Sequence, residues 1–183
     1  MDTLQVNFNS VHFDPITLVG ISEIGPSSFN LNSDGAEFGA LLWQKFFNKL
    51  LEKHIPINQK MYGASWPADD KTPPDLIHYF VGFEKSEEIL LKDFSELDLQ
   101  GGNYFSYKYQ GSPAGIDAGF QDAYMNQFPK SGFEPRVGQH LEIYSDYFDS
   151  NSENIDFQIL IPIKQKNWLN NGKFTSCLES ILI

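Results

Sequence analysis

Leu141-Glu142-Ile143-Tyr144, followed by Ile155-Asp156-Phe157-Gln158-Ile159-Leu160-Ile161-Pro162-Ile163, is the stretch on which the fold reading turns. In the first run polar and apolar residues alternate, so Glu142 and Tyr144 share one face of a strand and Leu141 and Ile143 share the other. The second run is apolar and β-branched and reads as another strand. With 16 Phe, 8 Tyr and 3 Trp in the chain, the Glu142 carboxylate has aromatic candidates for its surroundings, and an acid among rings suits an organic cation. The same alternation also describes the solvent face of a half-covered sheet.

Upstream of these strands, Gly101-Gly102 introduces Asn103–Tyr109, a strand with four aromatic residues. A helix follows from about Pro113 to Phe128, with proline near its first turn and Pro129 at its end. The order of the second half is therefore strand, helix, strand, strand. The first half repeats it. Residues 15–24 form a strand closed by Gly25-Pro26, and Phe29–Ser33 is a loop. Asp34 and Glu37 have capping-box spacing, and Phe38, Leu41, Leu42, Phe46 and Leu50 recur at helical intervals up to about His54, before Pro56. Trp43 and Phe47 widen that apolar stripe. Met61–Trp66 and Ile77–Phe83 are two further strands, separated by a loop rich in proline and aspartate. An acidic connector joins the halves.

The expected fold class is α+β: two β-α-β-β units, at about residues 14–84 and 100–164, related by a pseudo-twofold axis. Their strands form antiparallel sheet with the helices on one side and a central ligand cleft. Residues 1–164 make one domain, and residues 165–183 are a C-terminal extension ending in Ile181-Leu182-Ile183, expected to pack as a short helix or strand or to contact another chain.

Composition narrows the function. The chain has 183 residues, is 41% hydrophobic and suits a single core. A net charge of -11 opposes binding to phosphate backbones, so direct nucleic acid binding is not expected, whereas cations are attracted. A single cysteine, Cys177, excludes an intrachain disulfide and a thiolate cluster for zinc. His12, His54, His78 and His140 are scattered, with no pair at metal-binding spacing, so neither a metal nor another cofactor is expected. No run approaches the ~18 to 20 apolar residues of a membrane helix. With Asp2 and no basic n-region near the start, the expectation is a cytoplasmic protein with no membrane partner. There is no nucleophile elbow, P-loop or dinucleotide fingerprint.

Five stretches in order carry a family resemblance. They are Leu41-Leu42-Trp43-Gln44-Lys45-Phe46, the run Gly101–Gly111, Phe128-Pro129-Lys130-Ser131-Gly132-Phe133-Glu134, Leu141–Tyr144, and Ile159-Leu160-Ile161-Pro162-Ile163-Lys164. Together, over about residues 14–164, they resemble the GyrI-like effector-binding family, which includes the ligand domains of multidrug-responsive and AraC-type regulators. The resemblance implies the duplicated fold with a cleft between its halves. It also implies that Glu142, at the family's acid in an E-x-Y strand, is the central cleft residue and pairs with the charge of a lipophilic cation. Tyr144, Tyr107, Trp66, Tyr79 and Trp43 are the candidates for aromatic walls, and each also fits a place in the core.

Three functions stay open on these residues. The first is a stand-alone binding module for lipophilic organic cations, since only about 14 residues precede the first strand, too few for a helix-turn-helix. The second, implied by the resemblance, is a hydrolase of cyclopropane-containing toxins with Glu142 as general base and Tyr107 or Tyr104 as the orienting group. The third is a protein-interaction role, with a protein partner or a second copy of the chain, as for the family namesake that restrains DNA gyrase.

Overall fold

A computed structural model of the chain describes residues 9–27, 35–67, 76–86, 92–112, 115–145 and 155–165. The expected strands form where the β-branched and alternating runs lie: β2 (Ile16–Pro26), β3 (Met61–Pro67), β4 (Leu76–Glu84), β6 (Gly102–Gly111), β8 (His140–Tyr144) and β9 (Ile155–Gln165). Three short strands join them, β1 (Asn9–Phe13), β5 (Ser95–Leu99) and β7 (Phe133–Pro135). The acidic connector therefore contains a strand, with the sequence Ser-Glu-Leu-Asp-Leu. Its charges are those of an edge, where one side of the ladder faces water and repels further pairing.

The strand order is β1-β6-β9-β8-β3-β4-β2-β5, with β7 added to β9, and every described pairing is antiparallel. Read outward from the central pair, β3 is followed by β4 and β2, and β8 by β9 and β6, so the two units are arranged alike about the β3–β8 ladder. The edges β5 and β1 complete the symmetry.

The first helix, α1 (Gly35–Glu52), buries Leu42, Phe46 and Leu50 at intervals of four residues. It stops two residues before His54, which takes the left-handed conformation at φ 56° while Ile55 N–H reaches back to Leu50 O at 2.9 Å. The second helix is continuous along the chain but changes type within it. It runs as α2 (Ile116–Gln121), a π-helical segment (Asp122–Gln127) and α3 (Phe128–Lys130). Pro129 lies inside the closing turn and does not end the helix: it has no N–H to give to Met125, and the turn before it is widened, with Phe128 N–H on Ala123 O.

Both helices cover the same face of the sheet. Leu42, Phe46 and Leu50 of α1 share one buried cluster with Ala123, Tyr124 and Phe128 and with Met61, Phe83, Tyr144, Phe157 and Ile159. The other face carries a separate cluster that includes Leu18, Tyr62, Phe80, Tyr104, Leu141 and Leu160. Asp34, Pro113, the Phe29–Ser33 loop and the tail from residue 166 onward, with Cys177, lie outside the described residues. No helix among the described residues is long and apolar enough to cross a membrane.

Candidate functional site

Glu142 occupies the middle of β8, and its partner across the central ladder is Gly63 of β3. Because directly paired residues point the same way, one row on the helix-covered face runs Ile21, Val81, Gly63, Glu142, Ile159, Tyr107. Helix α1 packs on β2 and β4, and α2 on β6. The central strands β3 and β8 thus lie along the seam between the helices. Two aromatic side chains cross from the helices to β8: Trp43, whose ring meets that of Tyr144 edge-on at 5.2 Å, and Tyr124, which stands against His140 at 5.6 Å.

The Glu142 carboxylate accepts hydrogen bonds from Tyr144 Oη at 2.8 Å and Tyr79 Oη at 3.0 Å, both on Oε2. Tyr79 Oη in turn accepts from Trp43 Nε1 at 3.0 Å, so an indole, two phenols and a carboxylate form one chain. Tyr144 is stacked on Phe157 at 5.0 Å, which fixes the direction of its hydroxyl. Tyr124 Oη and His140 Nδ1 are hydrogen-bonded at 2.7 Å.

Loss of hydration dominates the electrostatics here. It raises the Glu142 carboxyl above its ordinary pKa, against the lowering effect of the Tyr144 and Tyr79 hydrogen bonds. Burial likewise pushes the Tyr79, Tyr144 and Tyr124 hydroxyls up, and the nearby Glu142 charge adds to each. His140 falls to about 4 for the same reason and is neutral at physiological pH. Among the described residues no lysine, arginine or protonated histidine pairs with Glu142. The residue as a whole nonetheless keeps intermediate solvent exposure.

Of the residues expected at the site, Glu142, Tyr144, Tyr79 and Trp43 come together. Tyr107 shares the face and the row but lies two strands away, with its hydroxyl on Asp122 Oδ2 at 2.9 Å. Trp66 does not join them: it alternates with Gly63 and Ser65 along β3, belongs to the opposite face, and stacks on His78 at 5.1 Å. Tyr104 is also on that opposite face, fully buried, with its hydroxyl on Gln100 O. The hydroxyls bonded to Glu142 are those of Tyr79 and Tyr144, while those of Tyr107 and Tyr104 are bonded elsewhere.

Two further residues at the site carry weak signals in the sequence, and a third carries none. His140 follows from strand parity with Glu142. Gly63 is a glycine inside a strand, a mark of close approach. Nothing local singles out Tyr124. A separate groove of about 500 Å³ lies between α1 and the outer edge of β2. Its lysines are already engaged, Lys45 with Glu23 and Lys49 with the Asp93 carbonyl, which sets it apart from the Glu142 site. Among the described residues no group of three or more His, Cys, Asp or Glu is placed to hold a metal ion.

Residues 7–164 match the family described as the GyrI-like small molecule binding domain. The chain belongs to that family. No curated protein sequence matches it. Among solved structures the GyrI-like chain is similar to SAV2435 bound to tetraphenylphosphonium, with a TM-score of 0.67 and 17% identity over 87% of this chain and 94% of that one. It is similar to the integron cassette protein VCH_CASS2 of Vibrio cholerae, with a TM-score of 0.64 and 16% identity over 86% and 95%. The EcmrR C-terminal domain follows with a TM-score of 0.55 and 9% identity over 88% and 100%. At these identities the likeness is one of fold. The GyrI-like family membership and the fold agree with the α+β arrangement read from the sequence.

Proposed function

We propose that this GyrI-like protein binds lipophilic, aromatic organic cations in the seam over β3 and β8, with Glu142 as the counter-charge. One observation carries this: a carboxylate bonded to Tyr144 and Tyr79, with Trp43 behind Tyr79 and Tyr124 nearby, on a residue of intermediate exposure with no basic partner among the described residues. Holding such a charge away from water costs several kcal/mol, and a bulky, weakly hydrated cation offsets that cost. Each ring face adds roughly 0.5 to 2 kcal/mol. Neither force is strongly directional, so the protein accepts a range of such cations and is not tuned to one. The ligand of the structurally similar SAV2435, tetraphenylphosphonium, is of this class.

Calorimetric titration with tetraphenylphosphonium and with a rhodamine-type dye tests the proposal. Micromolar binding is expected, and Glu142→Gln should weaken it by about 1 to 3 kcal/mol, the scale of an interaction with a charged group. Neutral triphenylphosphine oxide should bind the two forms alike. Equal affinity of the wild type for the phosphonium and the oxide would remove charge pairing from the mechanism.

A second reading draws on the raised pKa of the Glu142 carboxyl, which suits a general base, with Tyr79 and Tyr144 as the neighbouring hydroxyls. It requires turnover of an electrophilic cyclopropane substrate above that of the Glu142→Gln protein. Absence of such turnover leaves binding alone.

A further inference from the structure

Glu142 and Tyr79 are bonded although they do not belong to neighbouring strands. Glu142 is on β8, Tyr79 is on β4, and β3 runs between them. The residue of β3 that lies under the bond is Gly63, opposite Glu142 on one side and opposite Val81, two residues along from Tyr79, on the other. A Cβ on residue 63 would stand 2.9 Å from Glu142 Oε2, 2.9 Å from Tyr79 Oη and 3.0 Å from Glu142 Cδ. Real Cβ atoms do not make such contacts, so something would have to move. Among the described residues the backbone of Gly63 is not in the left-handed region, so its φ imposes no glycine. The glycine is there for the space above it.

We propose that Gly63 is the positioning residue of the site: by having no side chain, it lets the Glu142 carboxylate lie across β3 and be aimed by Tyr79 as well as Tyr144. The proposal deepens the cation-binding reading and rests on it for its ligand, but not for its geometry. Of the groups that would meet a new methyl, Tyr79 is held by Trp43 Nε1 and by the ring of Phe38 at 6.3 Å, and the strand backbone is fixed by ladders on both sides. The glutamate side chain is the part that can yield. In yielding it leaves Tyr79 and keeps at most the Tyr144 bond. The position of Gly63 also explains why a nearly symmetric frame carries one acid: the middle residues of β3 and β8 face each other directly, and a second long side chain at position 63 would compete with Glu142 for the same volume.

The test compares wild type, Gly63→Ala and Tyr79→Phe in two measurements. The first is the titration of the Glu142 side-chain carboxyl, followed by carbon NMR without ligand. The second is affinity for tetraphenylphosphonium, with triphenylphosphine oxide as the neutral control. Both variants should shift the Glu142 titration, and both should lose about tenfold in phosphonium affinity, the scale of one bond to a charged acceptor, with the oxide unaffected. Combining the two substitutions should cost little more than either, because they cut the same bond. An unmoved Glu142 titration in Gly63→Ala overturns the proposal. A shifted titration in a protein whose wild type ignores the phosphonium supports the positioning role and removes the cation reading instead. If Gly63→Ala does not fold, Tyr79→Phe decides: unchanged titration and unchanged affinity there would equally overturn it.

Discussion

Glu142 and His140 are two residues apart on one face of β8, and burial pushes their titrations in opposite directions. A glutamate whose pKa is raised by folding keeps its proton where the unfolded chain has already lost it. Its contribution is therefore least unfavourable at low pH, and stability is lost as the pH climbs from the ordinary glutamate value toward the raised one. His140 runs the other way. The unfolded chain takes up its proton near 6.5 and the folded chain only near 4, so stability falls as the pH drops through that window. At about 1.36 kcal/mol per pKa unit, the His140 contribution amounts to about 3 kcal/mol at most. Urea midpoints measured against pH should show both. Glu142→Gln should be more stable than wild type at pH 8 and converge on it toward pH 4. His140→Gln should lose the decline seen in the wild type below pH 6.5. Three superimposable profiles would mean that neither group is buried in solution as described.

Among the elements, the segment that departs furthest from expectation is the π-helical turn Asp122–Gln127. It gathers three side chains on one carboxylate: Asp122 accepts from Asn126 at 2.9 Å, from Tyr107 at 2.9 Å and from Gln127 at 3.2 Å. The Asn126 bond foremost holds the Asp122 carboxyl below its usual range, while burial and the same Asp122 bond push the Tyr107 hydroxyl up to about 12. Tyr107 is thus committed to tying β6 to the second helix. Tyr107→Phe should cost about 1 kcal/mol in urea denaturation, the scale of one hydrogen bond, and leave tetraphenylphosphonium affinity within about twofold. A loss of affinity as large as that of Glu142→Gln would return Tyr107 to the site. The π turn itself had no local signal, because apolar spacing over so few residues fits i→i+4 and i→i+5 bonding equally well. The edge strands β1 and β5 are hidden in the sequence for a related reason: half-exposed and polar, they look like connectors until a neighbour supplies the ladder.

At the scale of the whole molecule, the two helices among the described residues lie on one face of a curled antiparallel sheet and leave the central ladder as their common boundary. The core that holds α1 in place is aromatic. Phe46 is fully buried and its ring meets those of Trp43, Phe47, Phe83 and Phe94 at 6.0 to 6.2 Å. Phe46→Ala should cost about 3 to 5 kcal/mol of stability by urea denaturation, the range for deleting a buried aromatic ring. A cost under about 1 kcal/mol would mean that α1 can collapse onto the sheet and that its hold on Trp43 is loose.

The chain alone determined what depends on near neighbours. The alternation Leu141–Tyr144 placed Glu142 with Tyr144 and apart from Leu141, because successive side chains of a strand must point to opposite faces. The spacing of Leu42, Phe46 and Leu50 likewise fixed the buried side of α1. What the sequence left open was which face each strand presents to which partner. That question put Trp66 on the far side of the sheet, Gly63 under the carboxylate, and Tyr79 against a glutamate 63 residues away. Parity is a property of the covalent chain, whereas register is set by the packing of whole strands, and only the tertiary structure could align β4, β3 and β8 so that one missing side chain opens the path between an acid and its second hydroxyl.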